Sequence, residues 1–285
     1  MDGERLFCDV ALAARIERAE VRLVVESSDA ARARRGDDVG FARPFAGGVA
    51  SFAEADSPYN KVAGVGFDGP PDGLEEIEAA YAELGAPVQI EVSQLADASF
   101  GAHLTDRGYR LENYENVLGR RVADAGFPDF VRRSGDDELE TWLAAIAEAS
   151  VVADTEGLAS HEEFSRETIV DALRDMPGML RFTAEREGEF AGGAGLRVAD
   201  GIAQLGAAAT LPAHRRRGVQ TALVRARLAT AAALGCDLAV VTTQPGSKSQ
   251  QNVQRLGFEL LYARAILVKG ASAASSSGAE SRQAS

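Results

Sequence analysis

Hydrophobic spacing along the chain switches between a helical and a strand period. Apolar residues at helical spacing predict helices over residues 6–20, 74–84, 93–107, 138–150, 165–176 and 218–234, with a short one over 249–256. Runs rich in β-branched residues predict strands over 21–26, 61–67, 88–92, 111–122, 180–187, 189–198, 202–211, 238–243 and 259–268. Residues 27–40 read as a polar loop and Phe45–Phe52 as an apolar stretch containing glycine. Asp72 is expected to cap the helix at 74–84, and Gly85 to end it.

Two segments resist this reading. Residues 123–137 carry Gly, Pro and the acidic run Asp136-Asp137, and read as a linker. Residues 270–285 are nearly all Ala, Ser and Gly, cannot bury a core, and are expected to be disordered.

The pattern repeats once. Leu84-Gly85 closes a helix before PVQIEV, as Leu234-Gly235 does before DLAVVTT. Gly108-Tyr109 then opens a strand, as Gly257-Phe258 does later. Two copies of one α/β unit account for this: residues 1–122 and 138–269, joined by the linker. The copies differ at one turn. The second has Pro212, Arg215, Arg216, Arg217 and Gly218 between a small-residue strand and a long helix. A helix N-terminus after a glycine turn offers unpaired N–H groups and a positive dipole to an anion, and arginines add fork contacts to phosphate. The first copy has Asp-Gly-Pro-Pro-Asp-Gly there, which repels phosphate, so the cofactor loop is expected in the second half alone.

Composition narrows the partners. The 46% hydrophobic content suits a soluble globular chain, and no run approaches the roughly 18 apolar residues of a membrane span. The acidic N-terminus lacks a signal-peptide pattern, so a cytoplasmic location is expected. A net charge of -13 opposes nucleic acid and anionic membrane as partners. Cys8 and Cys236 read as reduced thiols. With His103, His161 and His214 dispersed, no metal site is expected. His214 is expected to face solvent and Trp142 the core.

Pro212-x-x-Arg215-x-x-Gly218 on a strand–turn–helix, then LGxDxxxVxT, then Asn252 before Gly257-Phe258, resembles the GCN5-related N-acetyltransferase (GNAT) family over residues 138–269, and weakly over 1–122. The resemblance implies an α/β (α+β) fold of two tandem GNAT-like domains, each a mixed, mostly antiparallel twisted sheet flanked by helices. It implies acetyl-CoA or another acyl-CoA as acyl donor and a primary amine, on a small molecule or a protein, as acceptor. The pantetheine arm would pair with Ala208, Ala209 and Thr210. Its pyrophosphate would meet Arg215, Arg216, Arg217, Gly218, Val219, Gln220 and Thr221, with Asn252 near the thioester. Gln220 stands where the family has Gly or Ala, Val253 where many relatives have an acidic tyrosine, and Gln204 where a glutamate base is common. Candidate proton-transfer groups are then Tyr262, Glu162 and Glu163, with Tyr262 alternatively a core aromatic. A non-catalytic acyl-CoA-binding or interaction protein is the alternative reading. A Rossmann enzyme ranks last, since no G-x-G-x-x-G follows a strand. Monomer and homodimer both fit.

Overall fold

The computed structural model describes residues 5–68, 71–123, 125–150 and 163–270. The chain opens with α1 (Val10–Arg35), then the hairpin β1 (Phe41–Phe45) and β2 (Gly48–Phe52), then β3 (Lys61–Ala63). After α2 (Leu74–Glu83) come β4 (Val88–Ser93), α3 (Ala98–Asp106) and β5 (Arg110–Arg121). The second half runs through β6 (Val131–Arg133), α4 (Leu139–Ser150), α5 (Arg166–Arg174), β7 (Leu180–Arg186), β8 (Glu189–Ala199) and β9 (Ile202–Thr210). It ends with α6 (Val219–Ala233), β10 (Leu238–Thr243), α7 (Lys248–Arg255) and β11 (Glu259–Lys269).

The expected strand at 21–26 is instead the middle of α1. Asp9 caps that helix by accepting from the Leu12 N–H at 2.8 Å. Gly36 ends it in the left-handed region. Ile16, Ala19, Val24 and Ala31 lie on its buried face, so packing overrides the strand preference of VRLVVE. Asp72 does not cap α2: the N-cap is Gly73, which makes no side-chain bond.

Among the described residues, eleven strands form one mixed, mostly antiparallel sheet in the order β1-β2-β3-β4-β11-β5-β10-β9-β8-β7-β6. The two parallel pairings, β3 with β4 and β9 with β10, lie on opposite sides of the central β11–β5 pair. Apart from the additional edge strand β6, the order is palindromic about that pair, with one exchange. The last strand of the second half, β11, is seated beside β4 of the first, and β5 of the first half lies beside β10 of the second. The sheet therefore runs unbroken across the junction of the two repeats.

The repeat is visible in turn geometry. The Gly85 N–H donates to the Ala82 carbonyl and the Gly235 N–H to that of Ala232. Tyr109 donates to Leu104 as Phe258 does to Val253. Helices cover both faces. The α6 side buries Leu205, Val219, Leu223, Leu228 and Phe258, whereas α1 packs Ala13 and Ile16 on Val117, Ile202, Val240 and Tyr262.

Candidate active site

β9 and β10 pair in parallel over three positions, the last being Gln204 with Val240, and then separate. Past that point β10 stays paired with β5, through Val241 with Leu118 and Thr242 with Val117. β9 stays with β8. The result is a wedge-shaped gap between two anchored strands.

A bulge shapes the β9 side. Gly193 faces Ala209 and Gly195 faces Gly206, so Ala194 alone opposes both Ala207 and Ala208. Ala207 has φ of 48°, left-handed for a residue with a Cβ. The extra residue changes which face the strand presents. Ala203 and Leu205 pack toward α6, whereas Ala207 and Ala209 pack against Trp142, Leu143 and Ile146 of α4. Two glycines on β8 make room for this. A Cβ on Gly192 would lie 2.7 Å from the Ala209 carbonyl oxygen, and one on Gly193 would lie 2.8 Å from Trp142 Nε1.

The basic turn follows β9 directly. A 3₁₀ turn, Pro212–His214, leads into Arg215, and Arg216 takes φ of 61°. Gly218 caps α6 at φ 78° with no side chain to occupy the first-turn N–H groups. Arg215, Arg216 and Arg217 are exposed, and Arg215 Nε donates to the Thr210 carbonyl at 3.3 Å. Arg186, not singled out from the sequence, holds the turn by donating to the Arg217 carbonyl at 2.8 Å. Its guanidinium also stacks on Phe130. His214 is buried, against expectation, because the 3₁₀ turn directs it inward. Gln220 accepts from Asn252 Nδ2 at 2.5 Å, joining α6 to α7.

A cavity of about 220 Å³ lies at the wedge. Gln204, Leu205 and Gly206 line one side and Val240, Val241 and Thr242 the other. Its charged wall comes largely from the first half: Glu20 of α1, Lys61 of β3 and Glu115 of β5, with Arg197 of β8 and Arg264 of β11. Lys61 Nζ is 2.9 Å from Glu91 and 3.3 Å from Glu20. Arg197 donates to Glu26 at 2.5 Å. Arg264 Nε lies 2.8 Å from Glu17, and its Nη1 3.6 Å from Glu91 and 3.7 Å from Glu115. Of these five carboxylates only Glu20 and Glu115 line the cavity, beside Lys61, Arg197 and Arg264; Glu17, Glu26 and Glu91 stand behind them, and Glu26 also has Arg22 at 4.0 Å. Burial, and then the Glu91 charge, push Glu115 up to about 7, against the pull of Lys61 and Arg264. Glu20 is subject to the same burial, but Lys61 and Arg264 outweigh it and hold the carboxyl below its ordinary range.

Tyr262 does not line this cavity. It is fully buried, and its hydroxyl donates to Glu17 at 2.6 Å. Burial, and then Glu17, raise it well above the ordinary tyrosine range, so it serves the core. Glu163 is exposed ahead of α5, away from the cavity lining, and Glu162 lies outside the described residues. Among the described residues, no helix is long and apolar enough to cross a membrane.

Residues 139–258 match the model of the acetyltransferase (GNAT) family. No curated protein matches the chain significantly. Among solved structures, the chain is similar to a GCN5-related N-acetyltransferase from Kribbella flavida, with 21% identity, a TM-score of 0.63, and 90% of this chain and 95% of that one covered. It is similar to a tandem GNAT protein from the clavulanic acid biosynthesis pathway, with 13% identity, a TM-score of 0.56, and 90% and 94% covered. A GCN5-related N-acetyltransferase from Sphaerobacter thermophilus is similar at 15% identity and a TM-score of 0.53, with 89% and 92% covered. These likenesses establish the fold over both halves.

Proposed function

Residues 139–258 are a domain of the acetyltransferase (GNAT) family, and from that premise we propose that the protein transfers an acyl group from acetyl-CoA to a small cationic amine at the β9–β10 wedge. One observation carries the reading: the charged cavity meets β9 at Gln204–Gly206, where β10 leaves it, and the uncapped N-terminus of α6 follows the far end of the same strand. The pantetheine arm pairs with the free edge of β9 at Ala208, Ala209 and Thr210. Its pyrophosphate sits on the N–H groups of Val219, Gln220 and Thr221, screened by Arg215, Arg216 and Arg217. Asn252 meets the cofactor from α7.

The acceptor enters the cavity between the halves. Lys61 and Arg197 have nearer partners in Glu91 and Glu26, whereas Glu115 has Arg264 at 3.7 Å, a cation that lies closer to Glu17, so Glu115 is the lining carboxylate placed to meet an ammonium group. The volume lies below roughly 300 Å³, where drug-sized sites begin, which favours a small acceptor. Glu115 takes the ammonium proton, because a group poised near neutrality can both accept and release it. The freed amine attacks the thioester carbonyl carbon. A C–N bond forms and the C–S bond breaks; the nitrogen gives its second proton to the leaving thiolate, and Glu115 releases the first to solvent.

In this reading residues 1–122 lend the acceptor wall and bind no acyl-CoA. Gly73 and Gly218 cap their helices in the same left-handed conformation. The first turn of α2, however, carries Glu75 and Glu76, whereas that of α6 has no acidic residue. Calorimetry with acetyl-CoA tests the site. Binding by the wild type that is lost in Gly218→Asp supports it, as does thiol release with small diamines. Failure of the wild type to bind any acyl-CoA overturns the reading. Binding without thiol release across an amine panel turns it into a non-catalytic acyl-CoA sensor.

A further inference from the structure

Arg227 of α6 is 3% exposed, and among the described residues no carboxylate pairs with it. Burial alone drives its guanidinium below the ordinary arginine range. A buried cation with no counter-charge opposes folding, which a methionine at the same place would not. The donors on Nε and Nη1 go to carbonyls. Nε donates to Leu223 on its own helix at 3.1 Å, and Nη1 to Gly195 at 3.2 Å and Gly206 at 3.4 Å.

Those last two carbonyls belong to the residue pair that closes the β9 bulge. Both converge on one nitrogen of a side chain from α6, so the Gly206 carbonyl points toward that helix. The Gly206–Ala207 peptide is trans, so its N–H points the opposite way, away from α6 and toward the face of the sheet where Ile16 and Glu20 of α1 line the cavity. A charge-assisted bond to the carbonyl of a peptide strengthens the donor at its other end, by roughly 10–30% for each bond in such a chain.

We propose that Arg227 is a positioning residue for acyl transfer, which fixes the bulge and polarises the Gly206–Ala207 peptide so that the Ala207 N–H stabilises the thioester oxygen. The inference rests on the acyl-transfer reading above. As the amine nitrogen bonds to the carbonyl carbon, the electron pair of C=O moves onto that oxygen. It returns when the C–S bond breaks and the thiolate leaves, taking the proton that the new amide nitrogen gives up. Arg227 touches neither substrate and acts through the peptide.

The test uses full-length Arg227→Met and Arg227→Lys beside the wild type. The first readout is the carbonyl stretch of ¹³C-labelled acetyl-CoA by difference infrared spectroscopy. Expected are a stretch lowered on binding to wild type, a smaller lowering in Arg227→Lys, and near loss of the effect in Arg227→Met. The second is steady-state kinetics. Removing a whole oxyanion donor costs about 10²–10³ in kcat, so weakening one is expected to cost about tenfold, with the KM for acetyl-CoA nearly unchanged. Wild-type kcat and stretch in Arg227→Met overturn the proposal, and so does a loss of kcat that only follows weaker binding and a lower Tm. If Arg227→Met does not fold, an unshifted stretch in wild type or an unchanged one in Arg227→Lys overturns it. A wild type that turns over normally while the variants match it sinks this inference alone. A wild type that does not bind acetyl-CoA sinks the functional reading with it.

Discussion

Glu115 and Arg264 face each other in the register of β5 and β11, with 3.7 Å between their charged atoms. They are also equivalent: Glu115 follows Tyr109, and Arg264 follows Phe258, by the same interval in the two repeats. The centre of the palindrome therefore carries opposite charges at matching positions, and both line the cavity.

Replacing Glu115 by Gln separates activity from stability. As a general base its loss is expected to cost about 10²-fold or more in kcat/KM. The wild-type profile rises through pH 7 and then levels, while the variant stays flat. Stability runs the other way. The carboxyl is raised from 4.5 to about 7 in the folded chain, so the native state holds the proton more tightly than the unfolded one. That contribution is full below pH 4.5 and is lost as pH rises through 7. Glu115→Gln is thus expected to melt above wild type at about pH 8 and close to it at about pH 5. Melting curves at both pH values check this.

Arg264→Met leaves Glu17, Glu91 and Glu115 without their shared cation. Removing one partner of a buried pair costs about 3–5 kcal/mol. The loss is expected to be larger at about pH 8 than at about pH 5.5, where protonation relieves the repulsion. Urea unfolding at the two pH values measures the difference.

The first and last residues of this site differ in how well the chain announces them. The phosphate turn is local: Pro212, Arg215 and Gly218 fall within one short stretch, so their spacing is a signature by itself. Glu115 gives no local signal, since its meaning comes from Arg264 and Lys61, which only the sheet brings near. The same holds for α1. Glu17, Ser27 and Ser28 lie on its buried face, and polar residues there mask the helical period that Val24 and Ala31 would otherwise show. Arg227 is hidden within a helix pattern that its flanking alanines and leucines already explain.

Gln220→Ala is expected to tighten acyl-CoA binding. Gln220 engages the Asn252 side-chain amide at 2.5 Å, and its removal frees that donor for the cofactor. The stability change is expected to stay within about 1 kcal/mol, the worth of one partly exposed hydrogen bond. Calorimetric titration with acetyl-CoA should show a severalfold lower Kd. An unchanged Kd places Asn252 out of reach of the ligand.

Trp142 supplies a built-in reporter. It is the sole tryptophan of the chain and packs in the cluster that holds Ala207 and Ala209. Its indole N–H donates to the Phe182 carbonyl at 3.1 Å. If pantetheine pairs along β9 as proposed, it shifts the packing beside the ring, so emission is expected to change on titration with acetyl-CoA, saturating at the calorimetric Kd. Gly218→Asp should abolish the change.

The seating of β11 beside β4 also sets a timetable for the nascent chain. Domains made in tandem ordinarily fold in the order in which they leave the ribosome. Here the first half finds the neighbour of β4 only after residues 259–269 have been translated. At about 5–20 residues per second, that delay after β5 is on the order of ten seconds. During it, β4 and β5 offer open edges to any other strand, including the same segment of a neighbouring nascent chain. A stop codon ahead of β11 would leave that state permanent, so this protein is born as two unfinished halves that complete each other only once β11 has been made.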